Sequence, residues 1–433
     1  MRKWWVVAAK RLGQKIAVGA GLASAGIYAA EEVRFRREAV RRVDLSDPPP
    51  PGTPAFSRLV ESWCGGPVRP GNHVDVLRNG AEIFPSMLEA IGSATRTVIL
   101  SSYIFWKGET ATAFGEVLAE RARAGVEVDV LVDGWGSAKM DRALVARMEA
   151  AGVMFVWFRT PHWYTAKKVN NRSHRRIAVI DGTVGFTGGL GIADEWSGDA
   201  EGPGSWRETH VRLEGPAVRD LVGAFADQWV EETGRVLAGP HLPELEVHED
   251  GADVQISRSS AREGRAPAEA LMLAAIAGCR ERLWFTTAYF APRRAMADAL
   301  VAAAERGVDL RILVNGPHID KEVVRRAGQR SYGRLLEAGV RIFEYGRTMM
   351  HAKVVVADDR WANVGTANFD NRSLALQDEM NCSIVDAGVV AELDKHFLDD
   401  FDASTEIDLA QWSARPLRSK AYEFAAESVR HSL

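Results

Sequence analysis

The sequence predicts an α/β protein made of two similar halves, each a mixed sheet flanked by helices. Three observations predict it. Helical and β-rich stretches alternate along the body, the alternation runs twice in the same order, and each run ends in a related motif of histidine, cation and aspartate. From Met87 the first copy reads MLEAIGSATRTVILSSYIF and then VLAERARAGVEVDVLVDG. From Met272 the second reads MLAAIAGCRERLWFTTAYFAP and then ALVAAAERGVDLRILVNG. Each copy is an amphipathic helix, an apolar β-rich strand, an Ala-rich helix and another strand. Gly125 and Gly307 sit where the Ala-rich helices need a C-terminal cap. Further on, EAAGVMFVWF and EAGVRIFEY match again.

Composition sets the limits. The chain has 433 residues, 46% apolar and 26% charged, which suits a folded body of two or three ordinary domains or one duplicated one. A net charge of −4 and a pI near 6.2 supply no global basic field, so no nucleic-acid partner is expected. Cys64, Cys279 and Cys382 are far apart and odd in number, which fits neither a disulfide framework nor a metal cluster.

Three regions precede the body. Residues 1–15 mix Trp4 and Trp5 with basic residues, and residues 16–30, IAVGAGLASAGIYAA, carry no charge. A spanning helix wants about 20 apolar residues, so this run is short, though flanking charges can snorkel. Residues 1–43, which include the charged stretch EEVRFRREAVRR, are therefore expected to associate with a membrane; a cleaved signal and a plain globular helix are the alternatives. DLSDPPPPGTP opens an expected linker over 44–70. The halves are placed at 71–240 and 241–404, with a tail helix in 405–433 whose apolar positions include Leu417, Tyr422, Phe424 and Val429.

The chemistry lies in the paired motif. HRRIAVID contributes His174, Arg176 and Asp181; HAKVVVAD contributes His351, Lys353 and Asp358. Both are polar lead-ins to short β-branched strands, and residues i and i+2 of a strand share a face. Each histidine thus projects with a cation. If the halves pack about a pseudo-two-fold axis, two imidazoles and two cations meet in one cleft suited to a phosphodiester. One imidazole would attack phosphorus and form a phosphohistidine, while the other protonates the leaving alkoxide and then activates the acceptor. The cations would stabilise charge on the non-bridging oxygens. No metal or other cofactor is expected. Glu208 in SWRETHVRLEG and Glu379 in LQDEMNCSIV occupy matching positions and are expected to orient the histidines.

The repeated motif, each copy followed by a glycine-rich strand exit, resembles the phospholipase D superfamily. AYFAP, TMMHAKVVVADDRWANVGTANFDNRS, FTGGLGIADEW and GSWRETHVRLEGPAV resemble its cardiolipin synthase branch, over roughly residues 75–400. The resemblance implies a duplicated phospholipase D fold and a phosphatidyl transfer from phosphatidylglycerol at a bacterial cytoplasmic membrane. It also implies that His174 attacks and His351 acts as acid and base. Two departures stand out: Arg176 replaces the family's lysine, and Gly189 and Gly191 stand where the second half has Thr366 and Asn368. Thr366 and Asn368 are read as phosphate contacts or turn formers, and Asp181 and Asp358 as members of the catalytic motif or as turn caps. Trp106 and Trp135 are read as core or cleft wall. RTPHWYTAKKVNNRS (159–173) is read as a headgroup-facing or solvated loop, and His162, His210 and His318 as structural. Rival readings are a hydrolytic phospholipase D, a nuclease of the same superfamily and a non-catalytic lipid-binding scaffold.

Overall fold

A computed structural model describes residues 45, 47–160, 171–260, 266–375 and 377–416. The membrane-associating segment expected over 1–43, most of the aromatic and basic stretch after Arg159, and the tail positions from Leu417 onward lie outside the described residues. Among the described residues no helix is long and apolar enough to cross a membrane.

The first half contributes β1 (Val68–Arg78), β2 (Thr97–Ser102), β3 (Glu127–Asp133), β4 (Met154–Phe158), β5 (Ile177–Ile180), β6 (Val184–Gly188) and β7 (Thr209–Glu214). The second contributes β8 (Ala252–Arg258), β9 (Arg282–Thr286), β10 (Phe290–Ala291), β11 (Asp309–Asn315), β12 (Arg341–Tyr345), β13 (Val354–Ala357), β14 (Trp361–Gly365), β15 (Phe369–Asp370), β16 (Met380–Val385) and β17 (Ser404–Glu406). Among the described residues, all but β10 and β15 form one fifteen-stranded sheet. From its centre the order reads β1-β7-β6-β5-β2-β3-β4 one way and β8-β16-β14-β13-β9-β11-β12 the other, with β17 added at the far edge. The two series are the same topology, so the duplication read from the sequence is a pseudo-two-fold at the β1–β8 seam.

Local chemistry explains the pairing. β2, β3 and β4 are parallel because the helices Glu109–Arg123 and Arg142–Ala150 carry the crossovers. β5 and β6 are antiparallel because a tight turn at Asp181 and Gly182 joins them. At the seam, β1 and β8 run antiparallel with a register shift between Arg69 and Asn72. Gly71 takes φ +76° there, and a Cβ on it would lie 2.5 Å from Val247. Buried Asn72 ties the seam by donating to the Ala252 carbonyl at 3.1 Å and accepting from Ala217 N–H at 2.8 Å. One face of the sheet carries a core continuous across both halves, with Val179, Leu213 and Trp229 on one side and Val254, Val356 and Phe397 on the other. The opposite face holds separate cores, around Ile83, Phe114 and Val130 in the first half and Leu271, Leu300 and Ile312 in the second.

The expected boundaries shift in two places. The stretch read as linker contains a helix, Pro54–Cys64, with Thr53 accepting from Phe56 N–H at 3.2 Å. Proline at a first helical position starts a helix rather than preventing one. Phe56, Val60 and Cys64 are buried in the second-half core. Past residue 404, β17 pairs with β12, and Trp412 of the helix Leu409–Ser413 packs 5.0 Å from Tyr332. This part of the tail therefore completes the second half. All three cysteines are free and buried.

Asp181 and Asp358 are turn caps. Both adopt left-handed backbone, at φ +53° and +51°. Asp181 accepts from the N–H groups of Thr95, Arg96 and Thr97 at 2.7–2.9 Å, and Asp358 from those of Arg280, Glu281 and Arg282 at 2.9–3.2 Å. Each fastens a helix-to-strand loop to the far end of its motif strand. Each lies five positions past its cation, which at ~3.3 Å per strand residue is about 16 Å. Their expected place in the catalytic set is corrected accordingly. Asp181→Ala and Asp358→Ala should each cost about 2 kcal/mol, because the turn loses its acceptor and alanine disfavours positive φ. Denaturant melts should show this loss while the folded variants keep wild-type turnover within about threefold.

Candidate active site

Each motif histidine enters the site on an extended segment just before a strand, and a segment of the opposite half holds it there. The His174 N–H donates to the Asp378 carbonyl at 2.9 Å, and the His351 N–H to the Arg207 carbonyl at 2.8 Å. Asp378 and Arg207 immediately precede Glu379 and Glu208, which lead into β16 and β7. The backbone thus delivers each glutamate to the histidine of the other half. Glu379 Oε2 lies 2.9 Å from His174 Nδ1, and Glu208 Oε2 lies 2.7 Å from His351 Nδ1. Both carboxylates are buried, so each ring has its Nδ1 fixed and its Nε2 turned to the cation of its own motif.

The cations share the face expected from i, i+2 spacing. Arg176 Nη2 lies 3.2 Å from His174 Nε2, and its Nη1 donates to the His174 carbonyl at 2.9 Å. Lys353 Nζ lies 3.2 Å from His351 Nε2 and also bonds the His351 carbonyl. His174, Arg176 and His351 line one cavity of about 640 Å³. Its wall includes Trp106 and Trp135, which settles both as cleft wall.

Burial and charge set the protonation states. Burial, together with Arg176 and Lys353, holds His174 well below the usual imidazole range. Burial and Lys353 hold His351 at about 3, against the upward pull of Glu208. Burial would raise Glu208, but the His351 hydrogen bond and the Lys353 charge bring it down to about 2. Burial raises Glu379 well above the carboxylate range despite Thr366 and Arg176. Each histidine–glutamate pair therefore holds one proton between Nδ1 and Oε2. Burial and Arg176 bring Lys353 down to about 7, whereas a guanidinium keeps its charge in such surroundings.

The two ends of the site differ where the sequence departs from symmetry. Thr366 donates its hydroxyl to Glu379 Oε2, and its carbonyl lies 3.1 Å from His174 Nδ1. A Cβ on Gly189 would lie 2.6 Å from Glu208 Oε2, so glycine makes room for that carboxylate. A Cβ on Gly191 would lie 2.9 Å from the Trp196 ring, whose Nε1 donates to Glu208 at 3.4 Å. Trp196 thus supplies in the first half the hydrogen bond that Thr366 supplies in the second. Asn368 lines the cavity, and its Oδ1 accepts a long bond of 3.4 Å from Thr287.

Several contributors went unread in the sequence. Tyr103 packs edge-on to His174 at 4.9 Å, and Trp196 and Trp206 flank His351 at 5.0 and 5.5 Å. Lys139, Tyr289, Asp320, Lys321 and Arg372 also line the cavity. SSYIF and TTAYF occur at equivalent strand ends, a signal that could have flagged Tyr103 and Tyr289. His210 is buried beside Gly188, and burial lowers it to about 3; it and half-buried His318 are absent from the cavity wall, while His162 lies outside the described residues.

Comparison with known proteins places this geometry. The family described as "Cardiolipin synthase, PLD-like domain" matches residues 87–199 and 272–401, one match in each half. The chain is 36% identical over 362 residues to the cardiolipin synthase of Geobacillus kaustophilus, covering 82% of this chain and 72% of that protein. It is 35% identical over 364 residues to the cardiolipin synthase of Halalkalibacterium halodurans, covering 83% and 72%. Among solved structures, the phosphatidylserine synthase of Haemophilus influenzae matches with a TM-score of 0.65 at 15% identity, over 87% of this chain and all of that one, a likeness of fold. One match falls in each half and each contains a motif copy, and the chain belongs to the cardiolipin synthase family of phospholipase D-like proteins.

Proposed function

We propose that the chain transfers a phosphatidyl group from one phosphatidylglycerol to the terminal hydroxyl of a second, forming cardiolipin and releasing glycerol. The observation that carries the reading is the crossed pairing, which brings His174, Arg176 and His351 to one cavity, with Lys353 against the His351 ring. His174 Nε2 attacks phosphorus, the bond from phosphorus to the glycerol headgroup oxygen breaks, and His351 Nε2 gives that oxygen its proton. His351 then takes the proton of the acceptor hydroxyl, the new oxygen–phosphorus bond forms, and the bond to His174 breaks. Arg176 and Lys353 stabilise the non-bridging oxygens.

The protonation pattern supports this division of roles. Burial and the nearby cations hold both rings neutral, as attack by His174 requires. His351 faces ionised Glu208, which favours a charged imidazolium, and a bound phosphodiester anion adds to that pull. Thr366 acts through Glu379, and Asn368 serves the phosphate from the cavity wall. We read 71–240 and 241–404 as the catalytic halves. Residues 1–43 bring them to the cytoplasmic membrane of a bacterium, where phosphatidylglycerol is the lipid partner.

Purified protein with phosphatidylglycerol vesicles should yield cardiolipin and glycerol. Phosphatidic acid and glycerol would make it a hydrolase, nicked plasmid without lipid turnover would make it a nuclease, and lipid binding without turnover would make it a scaffold. His174→Ala and His351→Ala should each lower turnover by at least about 10²–10⁴. Near-normal rates in either would overturn the shared site. Glu208→Gln removes the charge that pulls His351 upward against burial and Lys353, so the alkaline limb of kcat should move down by about one pH unit, with the loss larger at pH 8 than at pH 6. Arg176→Lys places an ammonium in a site that already lowers Lys353 to about 7. It should keep activity at pH 6 and lose it faster than wild type above pH 7, because the lysine discharges as pH rises through its lowered value.

A further inference from the structure

A second cluster of ionisable groups lies at the start of β3, on residues the cavity does not use. Glu127 and Asp129, two apart on one strand, share a face, and His241 reaches them from the segment that leaves the first half for β8. The two carboxylates divide their oxygens. Glu127 Oε1 accepts from Arg235 at 2.8 Å, and Asp129 Oδ1 lies 3.7 Å from the same guanidinium. The other two oxygens turn to His241 Nε2, Glu127 Oε2 at 3.5 Å and Asp129 Oδ2 at 4.0 Å.

Asp129 is 1% exposed and His241 3% exposed, and neither Asp129 oxygen nor His241 Nε2 makes a hydrogen bond. A buried carboxylate without donors is costly, and one guanidinium shared between two carboxylates leaves the cluster short of positive charge. Three ligand atoms within 4.8 Å of one another are spaced for a common ion. Bonds of about 2.0–2.2 Å in a tetrahedral set bring such atoms to about 3.4 Å apart. One imidazole and two carboxylates leave a fourth position for water and suit a divalent first-row transition ion.

We propose that Glu127, Asp129 and His241 form a structural site for such an ion, with zinc as the test case, that ties the connection between the halves to β3. The ion would take no part in phosphatidyl transfer.

The full chain, freed of metal with a chelator, is titrated with zinc by calorimetry and melted with and without it. The expected result is one zinc per chain and a rise in melting temperature. Asp129→Asn keeps the shape and removes the buried charge. It should weaken zinc binding by at least about a hundredfold while leaving the metal-free protein as stable as wild type or more so. His241→Gln should weaken binding as well. If that variant does not fold, Asp129→Asn decides the matter. Wild-type protein that takes up no zinc overturns the proposal, and so does zinc bound as tightly by Asp129→Asn as by wild type, which would place the ion elsewhere.

Discussion

The site depends on a crossed pair of buried contacts, Glu379 with His174 and Glu208 with His351. Neither half can orient its own histidine. Each needs a carboxylate from its counterpart, and the sheet supplies it because β7 and β16 lie on opposite sides of the β1–β8 seam. The continuous core beneath that seam keeps the halves from separating, since Val179 and Val356 belong to one apolar layer. Buried Arg207 strengthens the link by pairing with Asp400 of the other half at 3.0 Å. Removing one partner of a buried ionic pair costs about 3–5 kcal/mol, so the pairing constrains the fold as well as the chemistry.

A symmetric frame yields two different histidines because the surroundings of the carboxylates differ. Burial outweighs the Thr366 hydroxyl and raises Glu379, whereas the His351 hydrogen bond and the Lys353 charge outweigh burial and bring Glu208 to about 2. Gly189 and Gly191, which look like losses beside Thr366 and Asn368, are the space that Glu208 and Trp196 occupy. The cations differ in the same spirit. Arg176 keeps its charge at any working pH, whereas Lys353, brought to about 7, responds to the proton traffic around it.

Much of this was legible in the sequence for a definite reason. Period-two geometry puts His174 with Arg176 and His351 with Lys353 whatever the tertiary fold, and duplication raises each pair above chance. The crossing was not legible, because Glu208 and Glu379 occupy equivalent places in their halves and only the strand order decides which histidine each meets. Asp181 and Asp358 were placed in the catalytic set by motif membership, but a four-residue strand carries them to the far end. The polyproline run hid the helix at Pro54, since the residue that breaks a helix interior also starts one. The aromatic wall was partly hidden for a similar reason: Tyr103, Trp196 and Trp206 bear no periodic signature and are defined by the rings they touch.

The central claim is that two histidines, each oriented by the opposite half, act on one phosphorus. A crystal structure of the full chain with tungstate, a phosphate mimic, tests it most directly. The account requires a single tungstate with the Nε2 atoms of both His174 and His351 within about 3.5 Å of it, and each Nδ1 still on the other half's glutamate. Tungstate ions in separate pockets, or an ion held by one histidine with the other ring turned away, would contradict it.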